Sequence, residues 1–285
     1  MLVTLKESLA YATKHQFGIG AFSVASIEMI QGAVRAAEDL KAPIILQIAE
    51  VRLKQSPLHL IGPAMIAAAK QSSVPIVVHL DHGLTEETIL QALELGFTSV
   101  MYDGSHEKLE VNISNSKKIH RLAMQYHASF EAEVGKVGGS EDGSEEIEML
   151  STSVQDAARF VEEVAVDALA VAYGNAHGVY KGEPKLQFDR LDEIRKKVNV
   201  PLVLHGGSGI SKEDFQKSIQ LGVRKINVAT STFQSVQQSV NQNAPFNDYY
   251  GLHTQLIQGA YENVSRHIRM FNSHHQIKEG GLQHV

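Results

Sequence analysis

The stretch VPIVVHLDHGLTEETILQALELGFTSV, residues 74–100, decides the fold. Residues 75–80 form a short apolar run opened by Pro75, which suits the first position of a strand because that residue need not donate to the ladder. The run ends in Asp81-His82-Gly83. Residues 86–95 then read as an amphipathic helix, stopped at Gly96, and residues 99–102 as a second strand. Strand, helix and strand in that order imply parallel pairing.

The same unit recurs along the chain. Strands are expected at residues 18–24, 43–49, 75–80, 99–102, 129–134, 168–172, 201–204 and 225–228. Helices are expected at 27–40, 64–71, 86–95, 109–126, 154–164, 190–198, 212–221 and 233–240. Eight such repeats in 285 residues predict an α/β chain closed into a single (β/α)8 TIM barrel, which typically needs about 250 residues. No linker divides the chain, so residues 1–285 read as one domain. Residues 249–271 add one or two C-terminal extra helices, and a frayed tail is expected at about 273–285. The longest irregular insertion, residues 135–149, is rich in Gly, Ser and Glu.

Composition narrows the chemistry. A net charge of −6 favours neither nucleic acid nor membrane as partner. Residues 1–20 include Lys6, Glu7, Lys14 and His15 and lack the apolar centre of a signal peptide, so a cytoplasmic protein is expected. No run approaches the ~20 apolar residues of a membrane span. With no cysteine in the chain, a metal site must use His, Asp and Glu.

Barrel enzymes carry their chemistry at the C-terminal ends of strands. Here successive strands end in His79-Leu80-Asp81-His82-Gly83, Tyr102-Asp103-Gly104-Ser105, Glu131-Ala132-Glu133-Val134-Gly135, Tyr173-Gly174-Asn175-Ala176-His177-Gly178, His205-Gly206-Gly207-Ser208-Gly209 and Asn227-Val228-Ala229-Thr230. A lone histidine at a strand end is usually a hydrogen-bonded surface group. His82, His177 and His205 differ, because each adjoins a glycine and barrel closure gathers all of them at one mouth. Neutral imidazoles without cysteine fit a catalytic zinc site with a position open to substrate. His106, His120, His127, His253 and His267 fall on helices or loops and read as solvated, and His274, His275 and His284 lie in a polar tail. A GGSG turn alone says little, yet Gly206–Gly209 and Asn227–Thr230 follow the last two strands, where barrels often hold phosphate on backbone N–H groups and a helix N-terminus. Ser208, Thr230 and Ser231 would add hydroxyls.

These motifs, in this order and over residues 5 to about 271, resemble the class II aldolases, the subgroup of fructose-bisphosphate and tagatose-bisphosphate aldolases. Chain length and the wording of Asn227–Thr230 resemble the tagatose-type branch. The resemblance implies His82, His177 and His205 as ligands of Zn2+, Asp81 as acid/base, and Asp103 and Glu133 as acidic positions of a second divalent cation site. It implies Gly178, Gly206, Gly207, Ser208, Asn227, Val228, Ala229 and Thr230 as the segments that hold dihydroxyacetone phosphate, with a monovalent cation (Na+ or K+) near that phosphate. The implied reaction is reversible cleavage of a ketose phosphate, 1-phosphate or 1,6-bisphosphate, to dihydroxyacetone phosphate and an aldehyde through a zinc-stabilised enediolate. No Schiff-base lysine is needed, and Lys225, at the start of its strand, is expected at the wrong rim. Residues 135–149 are expected to form a lid over the site. The expected partner is a small sugar phosphate, and the expected assembly a homodimer or homotetramer.

The chain departs from the family pattern in two places. Ala21-Phe22-Ser23-Val24 has Ser23 where an asparagine is usual, and Ile48-Ala49-Glu50-Val51 has Ala49 where a serine is common. Both border the aldehyde half of the pocket. Relatives that cleave bisphosphates commonly carry adjacent basic residues after the eighth helix, whereas residues 244–250 here hold no cation and one carboxylate, Asp248. Arg52, Lys54 and Lys181 are the alternative cations for a second phosphate. Two other readings remain open from the residues: a sugar-phosphate isomerase or epimerase on the same barrel, and a non-catalytic barrel subunit of an aldolase complex.

Overall fold

Apolar runs too short for helices lie side by side as strands: β1 (Ile19–Ser23), β2 (Ile44–Ala49), β3 (Ile76–Gly83), β4 (Ser99–Tyr102), β5 (Ser129–Val134), β7 (Ala168–Val171), β9 (Leu202–Leu204) and β10 (Val223–Val228). All pair in parallel, in the closed order β1-β10-β9-β7-β5-β4-β3-β2. The computed structural model describes residues 1–139, 149–180 and 182–277. Outside the closed sheet, β6 (Gly138–Gly139) pairs in parallel with β8 (Ala176–His177). The helices are α1 (Leu5–His15), α2 (Ile27–Asp39), α3 (Leu58–Gln71), α4 (Glu86–Leu95), α5 (Leu109–Gln125), α6 (Val154–Glu163), α7 (Phe188–Arg195), α8 (Lys212–Gln220), α9 (Thr230–Asn243) and α10 (Tyr249–Met270). The architecture is the expected (β/α)8 barrel with additional helices.

The core has two compartments, set by the period-two alternation of the strands. Ile76, Val78 and Leu80 of β3, Phe130, Ala132 and Val134 of β5, and Ile226 and Val228 of β10 face outward into one apolar layer beneath the helices. Ile19 and Ala21 of β1, Ile45 of β2, Val77 of β3, Ala168 and Ala170 of β7, and Val203 of β9 pack inside the barrel against Leu5, Leu9 and Ala12 of α1. Helix α1 therefore plugs the end of the barrel opposite the polar strand ends. Its start carries a capping box: the Glu7 N–H donates to Thr4 Oγ1 at 3.2 Å, and the Thr4 N–H donates to Glu7 Oε2 at 2.8 Å.

Several boundaries differ from the sequence reading, each for a physical reason. Strand β3 continues through Asp81, His82 and Gly83, because inward polar side chains end the apolar run without ending the ladder. Helix α3 begins at Leu58 and runs through Pro63, a residue type that usually stops a helix. Helix α9 opens at Thr230 rather than at residue 233. Helix α1 is additional to the expected elements, although its Thr4 and Glu7 have the capping-box spacing. The expected frayed tail is ordered as far as Ile277: the N–H groups of His275 and Ile277 donate to the carbonyls of Leu40 and Lys41 at 2.7 and 3.1 Å, and Ile277 is buried. Residues 278–285 lie outside the described residues. Among the described residues, no helix is long and apolar enough to cross a membrane.

Candidate metal centre and phosphate rim

His82 lies near the end of β3, His177 lies in β8 and His205 follows β9, and all are buried. Their rings converge, with centroids 4.5 Å apart for His82 and His205, 5.0 Å for His82 and His177, and 5.7 Å for His177 and His205. One ring nitrogen from each lies within 4.8 Å of the others. The neighbours of His82 and His205 determine which nitrogen is available. Asp103 Oδ2 lies 2.7 Å from His82 Nδ1, and Glu131 Oε1 lies 3.0 Å from His205 Nε2. Burial opposes the Asp103 charge, yet hydrogen bonds from His82 and Ser105 hold its carboxyl well below the usual range, so it accepts and His82 Nδ1 donates. With His205 Nε2 likewise donating to Glu131, His82 Nε2 and His205 Nδ1 face each other at 2.8 Å as two lone pairs. Burial, and then the field of His82, push the His205 imidazole well below its ordinary value, so a proton between the rings is disfavoured. A cation between them resolves the repulsion. Imidazole nitrogens whose second N–H is held by a carboxylate are the usual donor set for zinc, so the residues present fit the metal.

Backbone placement of these rings is exacting. His82 has φ 42°, a left-handed conformation that a non-glycine residue adopts at a cost. The following Gly83 allows no Cβ, which would lie 2.4 Å from the Met101 carbonyl. His177 is held by the β6–β8 pair, in which Gly139 is its partner. Gly139 has φ 83°, and a Cβ there would meet the His177 carbonyl at 2.2 Å. Tyr180 joins the loops: its hydroxyl accepts from the Ala176 N–H and donates to the Gly206 carbonyl, both at 2.9 Å. Asn175 Nδ2 donates to the His205 carbonyl at 3.0 Å.

Asp81 lies beside this cluster with no solvent exposure. Gln47 Nε2 donates to its Oδ2 at 2.9 Å, and Asn227 Nδ2 to its Oδ1 at 3.0 Å. Burial pushes the carboxyl up, but the combined field of His82, Lys225, His205 and His177 more than offsets it and the net shift is downward. Asp81 is therefore a carboxylate at neutral pH. Glu133 behaves in the opposite way. Burial, then the neighbouring Asp103 charge, push it up to about 8. Its Oε1 accepts from the Val137 N–H at 3.2 Å, while Oε2 has no hydrogen-bond partner among the described residues. His82, Asp103 and Glu133 form a second group with metal-ligand spacing.

The glycine loops lie on the same rim. Gly206 has φ 67°, and a Cβ there would be 2.0 Å from the Ala176 carbonyl, so only glycine lets this turn touch the His177 loop. The Gly207 N–H donates to the Asn227 carbonyl at 2.9 Å. The Ser231 N–H, at the start of α9, donates to Ser208 Oγ at 3.0 Å. The N-cap of α9 is Ala229, which has no capping side chain. Val228 faces the outer core, so only its backbone reaches this rim. Gly178 follows β8 with φ 80°.

Of the two departures, Ser23 is buried and its Oγ accepts from Gln47 Nε2 at 3.3 Å, one step from Asp81. Ala49 lies opposite Asp81 in the β2–β3 register. Glu50 is structural: its carboxylate accepts from the N–H groups of Leu84 and Thr85 and from the hydroxyls of Thr85 and Thr88, at 2.7 to 3.1 Å. Of the expected lid, residues 140–148 lie outside the described residues, as does Lys181. The lid's stem is zipped by backbone hydrogen bonds between Lys136 and Leu150 at 2.8 and 2.9 Å.

Two expectations are corrected. Lys225 is not at the far rim: it is fully buried inside the barrel, with Nζ 3.0 Å from Glu131 Oε1 and 4.0 Å from Asp81 Oδ1. Alternation explains this, since Lys225 shares the inward parity of Asn227. His267 is not solvated: it is buried against Phe22, Phe215 and Phe271, with ring centroids 5.6 to 6.3 Å away. His79 and Glu131 stand in the strand-end motifs but carry no role there, and Gln47 and the inward placement of Lys225 are missed. Parity groups these four, because they face inward with Asp81, Glu133, Ala49 and Asn227 respectively.

Comparison with known proteins agrees with this geometry. Residues 3–276 match the family model described as fructose-bisphosphate aldolase class-II. A sulfofructosephosphate aldolase of Alkalicoccus urumqiensis is 37% identical over 280 residues, covering 96% of this chain and 97% of that protein. A 6-phospho-5-dehydro-2-deoxy-D-gluconate aldolase of Halalkalibacterium halodurans is 37% identical over 291 residues, covering 98% and 99%. The crystal structure of the YdjI aldolase of Escherichia coli K12 superposes with a TM-score of 0.89 at 33% identity, covering 97% of this chain and 99% of that one. The chain belongs to the class II fructose-bisphosphate aldolase family, and it is an aldolase, a carbon–carbon lyase of a metal-dependent class acting on sugar phosphates.

Proposed function

We propose that this aldolase uses zinc held by His82, His177 and His205 to cleave a ketose 1-phosphate reversibly to dihydroxyacetone phosphate and an aldehyde that carries no phosphate. The observation that carries this reading is the pair of buried imidazole nitrogens facing each other at 2.8 Å, each ring anchored by a carboxylate at its other nitrogen. When bound, zinc supplies Lewis-acid stabilisation of the negative charge that develops on substrate oxygen. The chain's own residues do the rest. The Gly206–Ser208 turn and the start of α9 at Thr230 and Ser231 would offer backbone and hydroxyl donors to the phosphate at a helix N-terminus, with the Gly207 and Ser231 N–H groups, held by Asn227 and Ser208, fixing the turn. Gly178, Asn227, Val228 and Ala229 border the same rim. In the cleavage direction Asp81, held as a carboxylate, accepts the proton of the hydroxyl on the aldehyde half. It exchanges one amide donor, from Gln47 or Asn227, for that hydroxyl. A monovalent cation beside the phosphate belongs to the same proposal.

The unphosphorylated aldehyde half rests on charge. Asp248 is committed to capping α10, accepting from the Gly251 N–H at 2.8 Å, and residues 244–250 hold no cation. Arg52 packs over the Phe233 ring of α9, 5.5 Å from its centroid. The relatives named for sulfofructosephosphate and 6-phospho-5-dehydro-2-deoxy-D-gluconate each carry one phosphate in the substrate's name.

Four outcomes are expected. Metal analysis should find about one tightly held zinc per protomer, with turnover lost on chelation and in His177→Ala; full activity without metal would remove the site. Asp81→Asn should retain zinc while kcat falls by about 10²–10⁴, the range for a lost general acid–base; loss of zinc in proportion to activity would make Asp81 a ligand instead. Comparison of kcat/KM should favour ketose 1-phosphates over the matched 1,6-bisphosphates, and a strong reverse preference weakened in Arg52→Ala would reveal a second phosphate site.

The fourth outcome concerns the second divalent site, which we assign to Asp103 and Glu133. A Glu133 carboxyl raised from an ordinary 4.5 to about 8 binds a proton in the folded chain that the unfolded chain has released. Its contribution to stability is therefore complete below pH 4.5 and is lost as pH rises through about 8. Thermal melts of chelator-treated protein should show declining stability across that window, and Glu133→Gln should flatten the decline. An unchanged profile in the variant would place the carboxyl's titration elsewhere.

A further inference from the structure

Branched aliphatic side chains usually fill the layers of a barrel of this kind. Directly beneath the histidines, this barrel instead holds His79, Glu131 and Lys225, none of them exposed to solvent. Lys225 Nζ lies 3.0 and 2.9 Å from the two carboxylate oxygens of Glu131. Glu131 Oε1 also accepts from His205 Nε2 at 3.0 Å. His79 completes the layer, with Nδ1 2.8 Å from Ser99 Oγ and Nε2 3.7 Å from Glu131 Oε2. Taken without the lysine, His79, Asp81 and Glu131 have the spacing of a third metal site. The ammonium of Lys225 stands in that group, 2.9 to 4.0 Å from both carboxylates, so the chain supplies its own cation there.

A buried ion pair is seldom a net source of stability, because desolvation opposes the attraction, and an apolar pair of similar volume would serve a purely structural layer as well. What the pair does here is geometric. Glu131 can turn either oxygen toward His205 or away from it, and Lys225 donates to Oε1, the oxygen that faces His205, while its charge stands 2.9 Å from Oε2. We propose that Lys225 is a positioning residue that fixes the Glu131 carboxylate against the Nε2–H of His205, so that this ring presents Nδ1 to the metal. Lys225 touches neither metal ligand nor substrate and acts through Glu131. The inference rests on His205 being a metal ligand.

The test is a double-mutant cycle on metal affinity, with Lys225→Met, Glu131→Gln and the double variant. Zinc dissociation constants are read by chelator competition, and the Co2+-loaded proteins give visible spectra that report ligand geometry without turnover. Lys225→Met should weaken zinc by about 10–100-fold, the usual effect of losing an outer partner of a ligand, and should alter the cobalt spectrum. In the double variant the carboxamide introduced by Glu131→Gln still accepts from His205 and carries no charge to be held. Its zinc affinity should therefore match that of Glu131→Gln alone within about threefold, so that the cycle is non-additive and the effect of Lys225 runs through Glu131. A folded Lys225→Met protein with wild-type affinity and spectrum overturns the proposal, whatever its melting temperature. If Lys225→Met does not fold, the double variant decides: a loss of more than about tenfold relative to Glu131→Gln would mean that Lys225 acts independently of Glu131, which also overturns it. Failure of the wild-type protein to bind zinc or cobalt would defeat the metal assignment itself and is distinguishable from both.

Discussion

Two imidazoles that have each committed one nitrogen to a carboxylate are left facing one another lone pair to lone pair, and the upper half of the barrel is arranged around that contact. Asp103 from the end of β4 and Glu131 from β5 hold the far nitrogens of His82 and His205. The rings come from β3 and from the turn after β9, which are not adjacent in the sheet, so only closure of the barrel can set them 2.8 Å apart. His177 arrives by another route, on a two-residue strand lying over the mouth. Glycines at positions 83, 139 and 206 are the places where a single added carbon would separate these segments.

Charge in this interior is dense, and its cost is met by an apolar remainder. Carboxylates at Asp81, Asp103 and Glu131 and the ammonium of Lys225 are all desolvated, which penalises each unless it is paired. Each has partners: amides for Asp81, an imidazole for Asp103, the ammonium and an imidazole for Glu131. Glu133 accepts from the Val137 N–H, but burial and the neighbouring Asp103 charge push its carboxyl up to about 8. Below this polar layer, α1 and the inward residues of the strands form a closed apolar plug, and outside it the helices bury a second core. The polar layer is thus clamped between well-packed surfaces, which limits its freedom to rearrange.

The departures from the family pattern cluster on one side of Asp81. Ser23, Gln47 and Asp81 form a hydrogen-bonded series across β1, β2 and β3, and Ala49 stands level with Asp81. Both departures shorten a side chain, while the glycine turns and the start of α9 retain the wording of the family the sequence resembles.

The barrel itself was legible in the sequence, because eight apolar runs separated by amphipathic ones admit few other arrangements, and because strand ends in this fold face a common rim. His82, His177, His205 and Asp81 were legible for the same reason: polar residues beside glycines stand out where an apolar run stops. His79 and Glu131 were legible as polar residues of the strand ends but not in their roles, and Lys225 was read at the wrong rim, because their partners lie on other strands. Which nitrogen of His82 and of His205 faces a carboxylate, and how burial and charge shift Asp103 and Glu133 in opposite directions, depended on contacts between strands far apart in the chain. Those are properties of distance and desolvation, and distance between non-adjacent strands is set only when the sheet closes.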